Sequence, residues 1–212
     1  QLENVREVKR NQVSTFVSER ETDLMMLLDT VDGLKQAAFD KLTAAQENKK
    51  AQIQKYFYDI AKDILVISES TVITKALSDF ASVTGQNGEP DQILYDFFVK
   101  EKYGSSLFKF SEIYGYHDLL LVTNSGDIVF SSKGTIPLGK RVWDGIFSGS
   151  GMAECFQKSI TGLTYQDFKP ISHEKGQFLS LMGSPIIEKD GTVAGVILIL
   201  LNNDMINEIT LR

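Results

Sequence analysis

Apolar side chains recur at intervals of three and four along the first 84 residues, which is the spacing of one face of an α-helix. The first proline of the chain is Pro90, and Gly33 is the only glycine in this stretch. The pattern predicts one helix from Leu2 to about Ser68, roughly 100 Å long at about 1.5 Å per residue. A helical hairpin turned at Gly33 is the alternative.

Two stretches of this helical segment, 40 residues apart, resemble each other. Their identical pairs are Leu2/Leu42, Glu7/Glu47, Lys9/Lys49, Gln12/Gln52 and Asp23/Asp63. Forty residues make about 11 helical turns, so both copies present their apolar residues on nearly the same face. We interpret this face as a packing surface for a core or a partner helix. Within it, Val17, Leu24 and Val31 recur every seven residues, which favours a parallel coiled-coil dimer.

A second, shorter helix is predicted after Ser70, whose side chain suits an N-cap, and it ends near Val83. Residues 85–90 are rich in glycine and end in proline, as a loop is. We place the domain boundary there, with a helical segment at 1–84 and an α/β unit at 85–212. Helical spacing returns at 91–103 and 107–113.

The period changes to that of strands after residue 114. Residues 117–132 predict a strand, a tight turn and a second strand, followed by a long glycine-rich connection over 134–151. A short helix at 152–160 and a strand at 163–168, ended by Pro170, come next. Two apolar runs, Phe178–Ile187 and Val193–Leu201, flank an Asp-Gly turn typical of a hairpin. The fold class is α+β: a long N-terminal helix, then a five-stranded antiparallel sheet with this last hairpin in its middle.

Composition narrows the class of protein. The 212 residues are 42% hydrophobic, enough for one sizeable core or two small ones. A net charge of −6 without a basic stripe argues against a nucleic-acid surface. The longest apolar run, 194–201, is far shorter than the roughly 18 residues of a membrane span. Since the chain begins with Gln1, we expect a piece of a longer protein whose membrane segments lie outside it.

Signatures of enzymes are missing from the sequence. The two histidines lack any zinc-binding spacing, and no glycine-rich phosphate loop or nucleophile elbow occurs. Cys155, the only cysteine, has apolar neighbours and is interpreted as a small core residue. We therefore predict a protein that is not an enzyme, with no catalytic residues, no metal site and no cofactor.

Four blocks of the sequence together resemble a known family. They are GYHDLLLVTNSGDIVFSS, LGKRVWDGIF, GLTYQDFKP and FLSLMGSPIIEKDGTVAGVILILLNNDMINEI. Their order is similar to that of extracytoplasmic Cache (PAS-like) sensor domains of bacterial methyl-accepting chemotaxis receptors. The preceding helical segment resembles the helix that leaves the first transmembrane segment of such receptors. The resemblance implies a homodimeric receptor of the inner membrane, with this domain periplasmic or otherwise extracytoplasmic, that binds a small molecule and transmits a conformational signal.

The resemblance also implies a ligand pocket on one face of the sheet, beneath the long connection. Arg141 and Trp143 partly match the Arg-x-Trp of amino-acid-binding Cache domains, and a guanidinium grips a carboxylate through two hydrogen bonds. Leu200 stands where those domains carry an aspartate, so Asp167 is the candidate substitute. The predicted ligand contacts are Arg141, Trp143, Phe147, Tyr165, Asp167, Ser180, Met182 and Ser184. Packing of Trp143 on the core, and pairing of Arg141 with a surface acid, is the alternative.

The predicted ligand is a small organic molecule, more readily a carboxylate than a cation. Alternatives for the whole domain remain open from the sequence. The runner-up in the same broad class is the sensor of a histidine kinase or of a cyclic-nucleotide enzyme, because the output module is absent from the chain. A different class is a structural helical spacer without any small-molecule ligand.

Overall fold

The computed structural model describes residues 2–84, 90–172 and 178–211. It divides into two compact units, Gln1–Gln52 and Ile53–Arg212. The boundary loop predicted at 85–90 lies largely outside the described residues, so the domain division at 84/85 stays a prediction. Helix α1 spans Leu2–Ser68 and passes through Gly33 without a break, which confirms the single helix and rules out the hairpin.

The first unit consists, in its described part, of the N-terminal stretch of α1 alone. Its large apolar side chains contact no core and are exposed to solvent. They include Val13, Phe16, Val17, Leu24, Met25, Met26, Leu27, Leu28, Val31, Leu34, Phe39 and Leu42. Helices that are stable in water normally bury such a face, because burial of apolar area is what stabilises them. This unit therefore leaves a packing surface without a partner among the described residues of the chain.

The second unit begins with the last turns of α1, which become part of a core. Ile60, Ile64 and Ile67 are buried and recur at intervals of four and three, so they form one stripe on the helix. Helix α2, Thr71–Val83, starts where predicted: the Ser70 side chain accepts a hydrogen bond from the backbone nitrogen of Val72 at 3.3 Å.

Three short helical pieces follow α2. Helix α3 spans Gln92–Phe97, a π-helix spans Phe98–Tyr103, and α4 spans Gly104–Ile113. The π-helix was not predicted, because its wider turn leaves no distinct spacing in six residues. Lys102 and Tyr103 at its end both donate hydrogen bonds to the Asp79 carboxylate on α2, at 2.6 Å from the Lys102 Nζ. These bonds fasten the π-helix to α2.

The sheet has five antiparallel strands in the order β2-β1-β5-β4-β3. Their bounds are β1 Asp118–Thr123, β2 Ile128–Ser131, β3 Thr164–Pro170, β4 Phe178–Ile187 and β5 Val193–Leu201. The predicted hairpin is confirmed, with β5 as the central strand. Strand β3 does not end before Pro170 as predicted but includes it, because the proline sits on an edge strand opposite Phe178, where its missing N–H costs no ladder bond.

Each face of the sheet carries its own apolar core. The α1-side core holds the last turns of α1 together with α2, α4 and the inward residues Leu119, Leu121, Met182 and Ile199. The α5-side core lies under helix α5, Gly151–Ser159, and holds the alternate strand residues Leu120, Leu181, Leu198 and Leu200. Because both faces of β5 are covered, its residues are buried almost without exception, as its unbroken aliphatic run indicates. Helix α6, Asp204–Leu211, follows β5.

Candidate functional site

Arg141 lies at the surface beside the turn between β1 and β2. Its Nε donates a hydrogen bond to the Asp127 carboxylate at 3.0 Å, and 53% of its side chain is exposed. The other oxygen of Asp127 accepts from Ser125 at 2.6 Å, which folds the turn around the carboxylate. The hydrogen bond from Arg141 to Asp127 raises the arginine pKa. Arg141 therefore has a surface acid as its partner, as in the alternative raised from the sequence.

Trp143 and Phe147 fasten the long connection to the α5-side core. The Trp143 ring meets that of Phe156 edge-on, with centroids 5.3 Å apart, and Phe147 is buried. The indole also covers Gly126, where a Cβ would lie 2.5 Å from the ring. Gly126 has a φ of +82°, so the turn and the close approach both need a residue without a side chain.

The remaining predicted contacts belong to the opposite face of the sheet. Tyr165 pairs with Met182 in the register of β3 and β4, and its ring meets Phe57 of α1 with centroids 5.0 Å apart. Ser184 shares the α1 side, where its hydroxyl lies 3.0 Å from that of Ser68. Asp167 is exposed and accepts a hydrogen bond from the Tyr165 hydroxyl at 3.3 Å.

These positions correct the prediction of one pocket formed by all eight residues. Trp143 and Phe147 pack on the α5 side, whereas Tyr165, Ser180, Met182 and Ser184 face α1. Arg141 pairs with Asp127 just before β2, at the edge of the sheet opposite to β3, which carries Tyr165. One small molecule cannot contact both groups, because the sheet separates them. Whether either group contacts a ligand stays a prediction.

Three buried hydroxyls stand out. The side-chain oxygens of Ser111, Tyr116 and Ser180 are shielded from solvent, and none has a well-aligned hydrogen-bond partner among the described residues, although the Ser180 hydroxyl lies near enough to that of Tyr165 to act on the tyrosine's pKa. An unpaired buried hydroxyl costs about 1–3 kcal/mol relative to a paired one. Burial raises the pKa of Tyr116, and the nearby Asp63 carboxylate raises it further. The neighbouring Tyr165 has its pKa raised to about 12, again mainly by burial.

Asp118 is a buried residue that the sequence reasoning missed. Its carboxylate organises the start of the long connection by accepting hydrogen bonds from the side chains of Ser131, Ser132 and Thr135 and from the backbone nitrogens of Leu119 and Lys133. Lys133 in turn donates through Nζ to the Tyr116 carbonyl at 2.6 Å. The sequence contained a signal for this arrangement. A buried carboxylate at the start of a strand needs several hydrogen-bond donors, and a run of serines and threonines lies at the end of the paired strand.

We also searched the described part of the chain for metal ligands, a reactive cysteine and a membrane-spanning helix. No cluster of three or more His, Cys, Asp or Glu residues there is arranged to hold a metal ion. Cys155 is buried in the α5-side core, and burial raises its thiol pKa to about 11, which leaves it protonated and unreactive at neutral pH. Among the described helices, none combines the length and the apolar character needed to cross a membrane.

The architecture has counterparts among solved structures. No family model matches the sequence, and neither does any curated protein. The sensor domain of the histidine kinase DctB from V. cholerae superposes with a TM-score of 0.58 at 17% identity, over 82% of this chain and 59% of that one. The fold is that of a Cache-type sensor domain. This confirms the resemblance drawn from the four sequence blocks, as far as the fold is concerned.

Two further structures are similar at lower scores. The E. coli DcuS sensor domain gives a TM-score of 0.49 at 10% identity, over 74% of this chain and 99% of that one. The ligand-binding domain of the Pseudomonas fluorescens chemoreceptor CtaA in complex with L-serine gives 0.43 at 11% identity, over 77% and 58%. The chain spans about 59% of the length of the DctB sensor domain that it matches.

Proposed function

We propose that this chain is the ligand-sensing part of a bacterial membrane receptor and that it reports the binding of a small organic molecule through α1. The observation that carries the proposal is the position of the last turns of α1. Ile60, Ile64 and Ile67 form one core with the sheet. A rearrangement of strands around a ligand therefore acts directly on the packing of this helix.

A hydrogen bond between buried side chains supports the same connection. The Ser68 hydroxyl donates to the Leu65 carbonyl at 2.9 Å, so the Ser184 hydroxyl is the donor in the bond between the two serines. Polar contacts in a core are directional and hold two elements in one relative position. A spacer module would not need such a contact between its helix and its sheet.

The preferred output is chemotaxis signalling, as the sequence resemblance implies. The second candidate is the sensor of a histidine kinase, which the likeness to the DctB sensor domain favours. In both cases the domain is extracytoplasmic, is anchored in the inner membrane by segments outside this chain, and has no enzymatic activity of its own. The exposed apolar residues of the first unit are the proposed seam of a parallel homodimer.

A thermal-shift screen of organic acids, amino acids and small amines tests the proposal. A ligand at a hundredfold excess over its Kd stabilises the folded state by about 2.7 kcal/mol. Hydrogen exchange of residues 53–68 is then compared with and without the ligand found, and slower exchange is expected in this part of α1. A screen without any saturable stabilisation, or a ligand that leaves exchange in 53–68 unchanged, would argue for a structural module instead.

The variants Arg141→Ala and Trp143→Ala show where such a ligand binds. If the carboxylate prediction is right, organic acids lose their stabilising effect on Arg141→Ala and perturb the emission of Trp143, the only tryptophan. Equal stabilisation of the wild type and both variants would place the site elsewhere in the domain without touching the sensing function.

A further inference from the structure

Helices α2 and α4 line a groove at the surface of the second unit. Its volume is about 350 Å³, which lies at the lower end of the range for sites that hold small organic molecules. The residues around it come from the start of α2 and from successive turns of α4. None of the eight predicted ligand contacts is among the described residues that line it. We call this feature the α2–α4 groove.

The spacing along α4 explains how one helix supplies most of the groove. Lys109, Phe110 and Ile113 follow Ser106 by three, four and seven positions, so all four share one side of the helix. The buried residues of α4, among them Leu107, lie on nearly the opposite side and hold the helix against the α1-side core. One side of α4 is thus fixed to the domain, and the other is left to the groove.

Apolar side chains form the floor and the walls of the groove. Ile73 of α2 is buried, and Phe110 is partly buried against the α1-side core. Val72 and Ile113 are 43% and 72% exposed. Scattered exposed apolar residues are ordinary, but apolar side chains grouped around a concave surface are typical of a ligand site. The groove therefore suits the hydrocarbon part of a ligand.

Lys109 supplies a positive charge to this apolar surface. Its ammonium group makes no ion pair in the described part of the chain, and no acidic side chain is among the described residues that line the groove. Glu112, three positions further along α4, neither lines the groove nor pairs with Lys109. Because the chain carries a net charge of −6, attraction of an anion has to come from a local cation such as this lysine.

We propose that the α2–α4 groove binds a medium-chain carboxylate. The carboxylate accepts a hydrogen bond from the Lys109 ammonium group, and the Ser106 hydroxyl, one turn earlier, is a second donor. The hydrocarbon chain covers Val72, Phe110 and Ile113. This site goes beyond the sensing function proposed above, because it requires neither a membrane receptor nor a pocket beneath the long connection.

The test compares octanoate with octylamine, which has the same chain and the opposite charge, and with the shorter butyrate. Calorimetry on the full chain should give saturable binding of one octanoate and no saturable binding of octylamine. Because each buried methylene strengthens binding by up to about fourfold, octanoate should bind more than about tenfold more tightly than butyrate. Added salt should weaken octanoate binding, because Lys109 is exposed and its charge is screened.

Two variants of exposed residues divide the site into its charged and apolar parts. Lys109→Gln should weaken octanoate binding about fivefold, the scale of an exposed ion pair. Ile113→Ala should narrow the difference in affinity between octanoate and butyrate. Both variants should melt close to the wild type, since neither side chain is buried. Lys158→Gln, which changes an exposed lysine on α5 at the other face of the sheet, is the matched control and should leave the affinity within twofold.

Equal affinities for octanoate and octylamine, or equal octanoate binding by the wild type and Lys109→Gln, would overturn the proposal. So would equal affinities for octanoate and butyrate, which would leave the apolar walls without a role. Octanoate should change the amide chemical shifts of residues 70–73 and 106–114, and changes confined to other residues would overturn the site as well. Loss of octanoate binding in Arg141→Ala would also overturn it, by placing the carboxylate at the contact predicted from the sequence. The sensing function is tested by its own screen and by hydrogen exchange, so the two proposals can fail independently.

Discussion

The hydroxyl of Ser184 on β4 donates a hydrogen bond to the hydroxyl of Ser68 on α1 across 3.0 Å, and both side chains are buried. Ser68→Ala removes the acceptor and leaves the Ser184 hydroxyl unpaired, which costs about 1–3 kcal/mol of unfolding free energy. Ser184→Ala leaves Ser68 still bonded to Leu65 and should cost about 1 kcal/mol. Urea denaturation of both variants measures the difference.

The double variant Ser68→Ala/Ser184→Ala completes the cycle. It should cost less than the sum of the single changes, because no donor is left unpaired once both hydroxyls are gone. Additive costs would mean that the two serines do not interact in solution, and the link between α1 and the sheet would then rest on the apolar core alone.

The packing of the Trp143 indole requires a residue without a Cβ at position 126, which Gly126 provides. An alanine there would bring its Cβ within 2.5 Å of the indole and would also hold φ at +82°, so Gly126→Ala should destabilise the domain and shift the Trp143 emission to the red. Gly134→Ala is the matched control: its φ is +64°, but nothing lies within 4 Å of the added Cβ. Gly134→Ala should lower the free energy of unfolding by about 1 kcal/mol and leave the Trp143 emission unchanged. Equal spectra for both variants would contradict this packing.

Stability at acid pH should depend on Asp79. Hydrogen bonds from Lys102 and Tyr103 lower the pKa of Asp79. A carboxyl whose folded pKa lies below its unfolded value stabilises the fold above about pH 4, and the contribution disappears as the pH falls through the folded pKa. The difference in melting temperature between wild type and Asp79→Asn should therefore be largest near neutrality and should disappear below about pH 4.

Asp96 provides a comparison for this titration. Its pKa is also lowered, by Gln92 and Lys100, but all three lie on exposed helix surface where water screens the pairing. Asp96→Asn should change the melting temperature little at any pH. A gap for Asp79→Asn that persists unchanged into strong acid would mean that the carboxylate charge contributes nothing.

The proposed dimer seam is tested by cross-linking in the full-length receptor. Leu24→Cys should form an efficient disulfide between protomers, since Leu24 sits on the exposed seven-residue repeat with Val17 and Val31. Asp29→Cys, five positions further along the repeat, faces away from such a seam and should cross-link poorly. The reverse order of efficiency would move the seam to another face of the helix.

The extent of α1 and both strands of the last hairpin followed from the sequence because each is encoded by local spacing. The arrangement of the candidate site did not. Alternation along β4 places Ser180, Met182 and Ser184 on one face but does not say which helix covers that face. The partner of Arg141, Asp127, lies 14 residues away and meets it only through the shape of the connection. The face of Tyr165 depends on the register of β3, which shifts at a bulge after Gln166.

Strand β5 pairs with β1 on one side and with β4 on the other, although it is the last strand of the chain to be synthesised. Until residues 193–201 emerge, the hairpin of β1 and β2 presents the open edge of β1, and β4 has only β3 beside it. Partly folded chains that expose unpaired strand edges and apolar sheet faces are prone to aggregate. The sheet therefore cannot close before residues 193–201 are available, and premature termination before Val193 would leave two halves of a sheet with no strand to join them.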